Sequence, residues 1–160
     1  MQLGVASALN MAGMVSGAIG IFFGFYFLST DLSLALRVVT CFSVGVVGFL
    51  AFVRHVVFHR SDAIRLGWQT NNPAWQMEVG FANLAVSAPA LYTATMHPSN
   101  AAFFVLLTAY SLYLAQATVL HAITLFRNQS QRTISVWTRV IATGLFALML
   151  GIFAGQGLHD

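Results

Sequence analysis

The sequence predicts an all-α fold, a polytopic membrane bundle of about five transmembrane helices. Of its 160 residues, 58% are hydrophobic and only 7% are charged. A soluble domain has about 25% charged residues, so this chain cannot cover a globular surface with polar groups. Its apolar runs are continuous and do not alternate with period two, which favours helices over a barrel. We expect a single integral membrane domain over residues 1–160, surrounded by the lipid bilayer.

Five apolar segments are long enough to cross a hydrocarbon core, which takes about 20 residues. The first has no basic region before it and no single cleavage site, so it is expected to be retained as a helix. Polar or turn-forming residues separate the five segments, which cover residues 8–28, 36–58, 75–94, 101–126 and 136–155.

The placement of arginine predicts the orientation of the bundle. Arg54, Arg60 and Arg65 lie at or near the second connection, and Arg127 and Arg132 lie in the fourth. These connections share one side of the membrane if five helices alternate, and arginine marks the cytoplasmic side. The sequence therefore predicts a bacterial inner-membrane protein with a cytoplasmic N-terminus and an outside C-terminus.

The second connection also predicts a short interfacial helix. Ile64 and residues 66–68 supply apolar side chains beside Asp62 and Arg65, and Gly67 stops the helix. We expect Trp68, Trp75 and Trp137 to lie at the level of the lipid headgroups.

Small residues at four-residue spacing predict close contacts between helices, because packing in lipid depends on close backbone approach. Packing within the bundle is the favoured interpretation, and an oligomer seam on the first helix is the alternative. The predicted packing residues are Gly13, Gly17, Gly20, Gly24, Gly151 and Gly155. Cys41 is a single cysteine within a span and is assigned no role.

Ionisable side chains inside membrane spans are candidates for function. At a rise of about 1.5 Å per residue, Glu78 and His121 lie at similar depth on antiparallel helices, so we expect them to be in contact. A deeper layer would pair the amides of Asn83 and Gln116. Glu78 is either part of a structural ion pair or a group that carries a proton or holds a cation.

Histidines near the cytoplasmic end suggest a metal site. His55 and His59 are four residues apart and therefore share a helix face. With His121 and Glu78 they have the type and number of ligands for zinc, copper or iron. The spacing matches no complete metal or haem motif, so the sequence specifies no cofactor.

The middle of the chain contains a recognisable pattern of aromatic and polar residues. It consists of Gly67-Trp68, then Pro73-Ala74-Trp75-Gln76-Met77-Glu78-Val79-Gly80-Phe81-Ala82-Asn83-Leu84, and Leu120-His121-Ala122 one helix later. This pattern resembles that of a family of small bacterial membrane proteins of unknown function. The resemblance implies that Gln76, Glu78, Asn83 and His121 are characteristic polar positions, and it implies no activity.

Three functions remain open from the sequence. The first is a non-catalytic subunit of a larger membrane complex, which binds other membrane subunits or itself. The second is a homo-oligomeric carrier of protons, ions or small solutes that uses Glu78 and His121. The third is a metal- or haem-binding redox protein. No nucleophile motif or phosphate loop is present, which disfavours an enzyme acting alone. The seven arginines form no basic stripe, so nucleic acid is not an expected partner.

Overall fold

The chain is a helical membrane bundle, as predicted. The computed structural model describes residues 2–66, 72–96, 99–127 and 134–158. Every regular element in these ranges is helical. In chain order they are α1 (Gln2–Leu28), α2 (Leu32–Val39), a π-helical segment (Thr40–Val46), α3 (Val47–Val56), α4 (His59–Leu66), α5 (Ala74–Thr95), α6 (Asn100–Arg127) and α7 (Ile134–Gln156).

Four helices of the described ranges are long and apolar enough to cross a membrane. α5 has 22 residues but is not among them, because Gln76, Glu78 and Asn83 lower its mean hydropathy. The third predicted span, over residues 75–94, therefore stays a prediction. The four helices cover Gly4–Leu28, Leu32–Val56, Asn100–Phe126 and Arg139–Gln156.

α5 nevertheless runs antiparallel along the second of these spanning helices. A Cβ placed on Gly80 would lie 3.1 Å from the Cβ of His55. Further along, a Cβ on Gly45 would lie 2.7 Å from a methyl carbon of Leu91. Glycine permits both approaches because it has no side chain. α5 therefore lies at the same depth as the helix beside it.

The π-helical segment is part of the second spanning helix and is hydrogen-bonded to α1. Ser16 on α1 donates a hydrogen bond to the carbonyl of Phe42 at 2.9 Å. Ser43 donates one back to the carbonyl of Gly17 at 3.0 Å. π-turns within helices are rare, and this one lies where the two helices exchange hydrogen bonds.

The predicted packing glycines fall into two groups. Gly17, Gly20 and Gly24 face other helices of the same chain, and a Cβ on Gly24 would lie 2.8 Å from the ring of Phe153. Gly151 similarly faces the Ser111 hydroxyl, whereas a Cβ on Gly13 or Gly155 would meet nothing within 4 Å. Most of the α1 small-residue face is thus occupied within the bundle.

The apolar core lies in the half of the bundle away from α4. α6 and α7 form an antiparallel pair, in which Ser111 donates a hydrogen bond to the Ala147 carbonyl at 2.8 Å. This pair packs on α5, the π-helical segment and α2, and Phe153 of α7 also contacts Phe25 of α1. The core residues are Leu36, Val39, Val44, Ala90, Phe103, Leu107, Tyr110, Leu150, Phe153 and Ala154.

Candidate functional site

α4 folds back against the end of the bundle. After α3 ends at Val56, the carbonyl of Phe58 accepts hydrogen bonds from the Asp62 amide and the Ser61 hydroxyl, each at 3.0 Å. α4 buries Ser61 and Asp62 and exposes Arg60 and Ile64. The structure thus contains the short helix that the sequence predicted in this connection.

Asp62 is the centre of a buried ionic cluster, and its side chain has no exposed surface. Its Oδ1 accepts hydrogen bonds from Nε and Nη2 of Arg65 at 2.9 and 2.8 Å. Nε of Arg54 lies 3.2 Å from the same oxygen. On the other side, Nδ1 of His55 lies 2.9 Å from Oδ2. We refer to Arg54, His55, Asp62 and Arg65 as the Asp62 cluster.

The geometry assigns the tautomer of His55. Nη2 of Arg54 lies 3.3 Å from Nε2 of His55, and a guanidinium can only donate. Nε2 must therefore accept, which leaves the ring proton on Nδ1, the nitrogen that lies 2.9 Å from Oδ2 of Asp62. His55 is neutral in this arrangement, because a second ring proton would point at the Arg54 guanidinium.

The Asp62 cluster and a neighbouring hydrogen bond together connect four helices at one end of the bundle. Arg54 Nη1 on α3 donates a hydrogen bond to Asn10 Oδ1 on α1. Gln76 on α5 donates one to the His59 carbonyl on α4 at 3.1 Å, and its side chain is buried. Gln76, which the sequence singled out, thus holds α5 against α4.

The environment of Asp62 lowers the pKa of its carboxyl. Burial raises this pKa, but the His55 hydrogen bond and the positive charge of Arg54 outweigh the effect of burial. The net shift is downwards from the ordinary value of 3.8. Asp62 is therefore the anion of the cluster at neutral pH.

A second polar group lies deeper, between α5 and α6. The amide nitrogen of buried Asn83 donates hydrogen bonds to the Tyr113 hydroxyl and the Val79 carbonyl, each at 2.8 Å. Its Oδ1 accepts one from the Tyr110 hydroxyl at 3.1 Å. Gln116 is exposed instead. The expected pairing of Asn83 with Gln116 was therefore wrong, because the side-chain amide of Asn83 forms its hydrogen bonds with two tyrosine hydroxyls instead.

The expected contact between Glu78 and His121 is also absent. Glu78 is exposed on α5, His121 is half-buried on α6, and no hydrogen bond or ion pair joins them. Their similar depth was inferred from distance along the helices, but contact also requires that both side chains face each other. Glu78 lies on the outer side of α5.

The four expected metal ligands do not come together. No three His, Cys, Asp or Glu side chains in the described ranges form a group that could hold a metal ion. His55 contacts Asp62 through Nδ1, and His59 Nδ1 lies 3.1 Å from the carbonyl of Val56. With His121 and Glu78 elsewhere, no predicted residue set matches a metal or haem.

Sequence reasoning missed most of the residues that organise these polar groups. Asp62 and Arg65 were expected only as part of an interfacial helix, and Asn10 was not singled out. The i,i+3 spacing of Asp62 and Arg65 is a recognisable ion-pair signal. Tyr110 and Tyr113 are also three residues apart, which places both on the face of α6 that contacts Asn83. The predictions for Gly67, Trp68 and Arg132 lie outside the described residues.

A groove runs between α6 and α7. It has a volume of about 480 Å³ and is open to the surroundings of the bundle. Most of its lining side chains are small, and Ala115 on α6 and Gly151 on α7 are exposed. The lining residues are Ser111, Ala115, Thr118, Gly144, Ala147, Leu148, Gly151 and Ile152. We refer to this feature as the α6/α7 groove.

Comparison with known proteins identifies a family but no activity. A family model described as a family of unknown function (DUF6790) matches residues 6–155, in agreement with the resemblance noted from the sequence. No curated protein and no solved structure matches the chain.

Proposed function

The chain belongs to the family of unknown function DUF6790, and we propose that it acts as a non-catalytic subunit of a larger membrane complex. The observation that supports this proposal is that the charged groups around Asp62 are paired with one another inside the chain. Arg54 and Arg65 occupy one carboxylate oxygen, and His55 occupies the other. A carboxylate that is paired in this way and has no exposed surface connects helices and is not accessible to a substrate.

The outer surfaces offer places for partner helices. α1 uses its glycine-rich side within the bundle and exposes Met14, Phe22 and Tyr26 on the other. The α6/α7 groove adds a surface that is lined mainly by small residues, among which Gly151 is exposed. Helices associate in lipid through packing and close backbone approach, and such surfaces suit that association.

We also propose the location and orientation. A bacterial inner membrane with α4 on the cytoplasmic side follows from the arginine bias, because Arg60 and Arg65 lie on α4 and Arg139 lies near the start of α7. α5, which lies beside Leu32–Val56 at the same depth, would then be the fifth span. This places the N-terminus inside and the C-terminus outside.

Site-specific photo-cross-linking in native membranes tests the subunit proposal. A photoreactive amino acid at Leu148, in the α6/α7 groove, should give a discrete cross-link to one different polypeptide. The matched control is Leu120, which is exposed on α6 but does not line the groove. It should cross-link mainly to lipid.

Two outcomes would overturn the proposal. Native mass spectrometry that finds only the 17.3 kDa chain, together with identical lipid adducts at both positions, would mean that no partner subunit exists. A cross-link from Leu148 to a second copy of the chain would indicate a homo-oligomer instead. The carrier alternative would use Glu78 and His121, and these two side chains do not contact each other within the chain.

A further inference from the structure

α5 exposes one continuous face along most of its length. Glu78, Ala82, Ala85, Pro89 and Tyr92 follow each other at alternating spacings of four and three residues, and all five are exposed. Residues at these spacings lie on one side of a helix. The opposite side of α5 packs on α3 and the π-helical segment. We refer to these five exposed residues as the α5 outer face.

The middle of the α5 outer face lacks bulky side chains. Between Phe81 and Tyr92, α5 exposes no large hydrophobic residue, whereas α6 exposes Val105, Leu112 and Val119 at seven-residue intervals. Small side chains allow the backbone of another helix to approach closely. The middle of this face is therefore suited to contact with a helix.

Pro89 frees a backbone acceptor on the same face. It lies inside α5 and has no N–H, so it cannot donate to the carbonyl of Ala85, four residues before it. The nearby Ser87 hydroxyl donates to the carbonyl of Leu84 at 3.4 Å. Within a membrane, donors from neighbouring helices are one means of satisfying a carbonyl that proline frees. The Ala85 carbonyl is therefore available to a donor on a helix that covers the α5 outer face.

Glu78 adds a charge that no described residue pairs. None of the described residues forms a hydrogen bond or ion pair with its carboxyl group. A Cβ on Gly80, two residues further along, would lie 3.1 Å from the Cβ of His55, so Glu78 lies at the α4 end of the bundle. An acidic side chain on a membrane helix is costly unless a partner satisfies it. Charge complementarity therefore favours an occupant with a basic residue at this level.

The charge also distinguishes between two kinds of occupant. In a two-fold dimer across the α5 outer face, with its axis along the membrane normal, the same patch of each copy would meet the other. Glu78 would then lie close to its own counterpart, and like charges at an interface are unfavourable. A different helix avoids this repulsion. Lysine and arginine are common at the cytoplasmic ends of spanning helices, which is the side proposed for α4.

We propose that the α5 outer face binds a spanning helix of a different subunit. This helix carries an arginine or lysine opposite Glu78 and a side-chain hydrogen-bond donor opposite the Ala85 carbonyl. Glu78 and Ala85 are two heptad-spaced positions, so the two groups of the partner are separated by about 10 Å along its axis. The inference rests on the proposed subunit function, because it needs a second polypeptide.

Site-specific photo-cross-linking in native membranes tests the α5 outer face. A photoreactive phenylalanine analogue at Phe81, which is exposed beside this face, should give a discrete cross-link to a different polypeptide. Leu120 on α6 is the matched control position, because it is also exposed and should cross-link mainly to lipid. Adding Glu78→Gln to the Phe81 probe should reduce the cross-link by about fivefold or more, since loss of one member of an interfacial charge pair speeds dissociation.

Two controls separate binding from folding. Asp31→Asn removes an exposed acidic group at the opposite end of the second spanning helix, and it should leave the cross-link from Phe81 unchanged. Glu78→Gln should leave the melting temperature of the purified chain unchanged, because no described residue pairs with Glu78. Glu78→Arg should abolish the cross-link, since it places a positive charge opposite the basic residue of the partner.

The outcomes distinguish failure of this inference from failure of the subunit proposal. A cross-link from Phe81 to a second copy of the chain would overturn the inference, and so would an unchanged yield in Glu78→Gln. Lipid adducts alone at Phe81, together with a discrete cross-link from Leu148, would overturn the inference and leave the subunit proposal in place. Lipid adducts alone at both positions would overturn both.

Discussion

His55 Nδ1 lies 2.9 Å from Oδ2 of Asp62, across the turn between α3 and α4. The contact joins a residue at the end of a spanning helix to a fully buried carboxylate on the short helix that follows. Because Arg54 Nη2 lies beside the other ring nitrogen of His55, the histidine acts as a neutral donor. The pair fixes the position of α4 on the bundle.

Removal of the Asp62 charge should destabilise the protein strongly. Asp62→Asn leaves Arg54 and Arg65 without a counter-charge, and breaking a buried ion pair costs about 3–5 kcal/mol. The two arginine side chains are 16% and 20% exposed, so we expect a loss of about 3 kcal/mol, at the lower end of that range. Equilibrium unfolding in mixed micelles measures it.

Asp31→Asn is the control for that substitution. Asp31 caps α2 by accepting a hydrogen bond from the Leu34 amide at 2.8 Å, and asparagine caps about as well as aspartate. The control should therefore change stability by less than about 0.5 kcal/mol. An equally small effect of Asp62→Asn would contradict a stabilising role for the Asp62 cluster.

The contribution of Asp62 should depend on pH only in acid. The pKa of its carboxyl in the folded protein is below its ordinary value of 3.8. Its stabilisation is therefore complete above that value and is lost as the pH falls through the lower, folded pKa. The difference in unfolding free energy between wild type and Asp62→Asn should be constant from about pH 5 to pH 8. A decline centred near neutral pH would implicate another group.

The tyrosines around Asn83 should each contribute modestly to stability. Tyr110→Phe and Tyr113→Phe each remove one hydrogen bond within the membrane, which costs about 0.6 kcal/mol on average and about 1.7 at most. Asn83→Leu should cost more, because both phenol hydroxyls lose their partner. Double-mutant cycles in the same unfolding assay measure the coupling. Tyr92→Phe, at an exposed tyrosine of α5, should have no effect, and a cost equal to that of Tyr110→Phe would contradict the assignment.

Two glycines of α1 should respond oppositely to alanine. A Cβ on Gly24 would meet Val39 and Phe153, the latter at 2.8 Å, whereas one on Gly13 would meet nothing within 4 Å. Gly24→Ala should therefore cost about 1–3 kcal/mol by overpacking. Gly13→Ala should be neutral or stabilising by up to about 1 kcal/mol, because alanine favours helices. Destabilisation by Gly13→Ala that depends on protein concentration would indicate an oligomer seam on α1.

The failure of the Glu78 prediction has a specific geometric cause. The buried residues of α5 are Gln76, Gly80, Asn83, Ser87 and Ala90, which follow each other at spacings of three and four and define its inner face. Glu78 is two residues from Gln76 and thus about 200° around the helix axis. Depth could be calculated from the sequence, but the direction in which each side chain points could not.

Composition and the lengths of the apolar runs were sufficient to determine the class of this protein, a helical membrane bundle, and the approximate extent of its four most apolar helices. They also predicted α4, because its amphipathic sequence differs from the spans around it. Only the tertiary structure decided which polar groups meet: Asp62 with Arg54, His55 and Arg65, and Asn83 with the two tyrosines. The physical reason is that lipid accepts apolar side chains on every face of a spanning helix. Hydropathy therefore does not identify the inner face, and the rotation of each helix depends on packing against its neighbours.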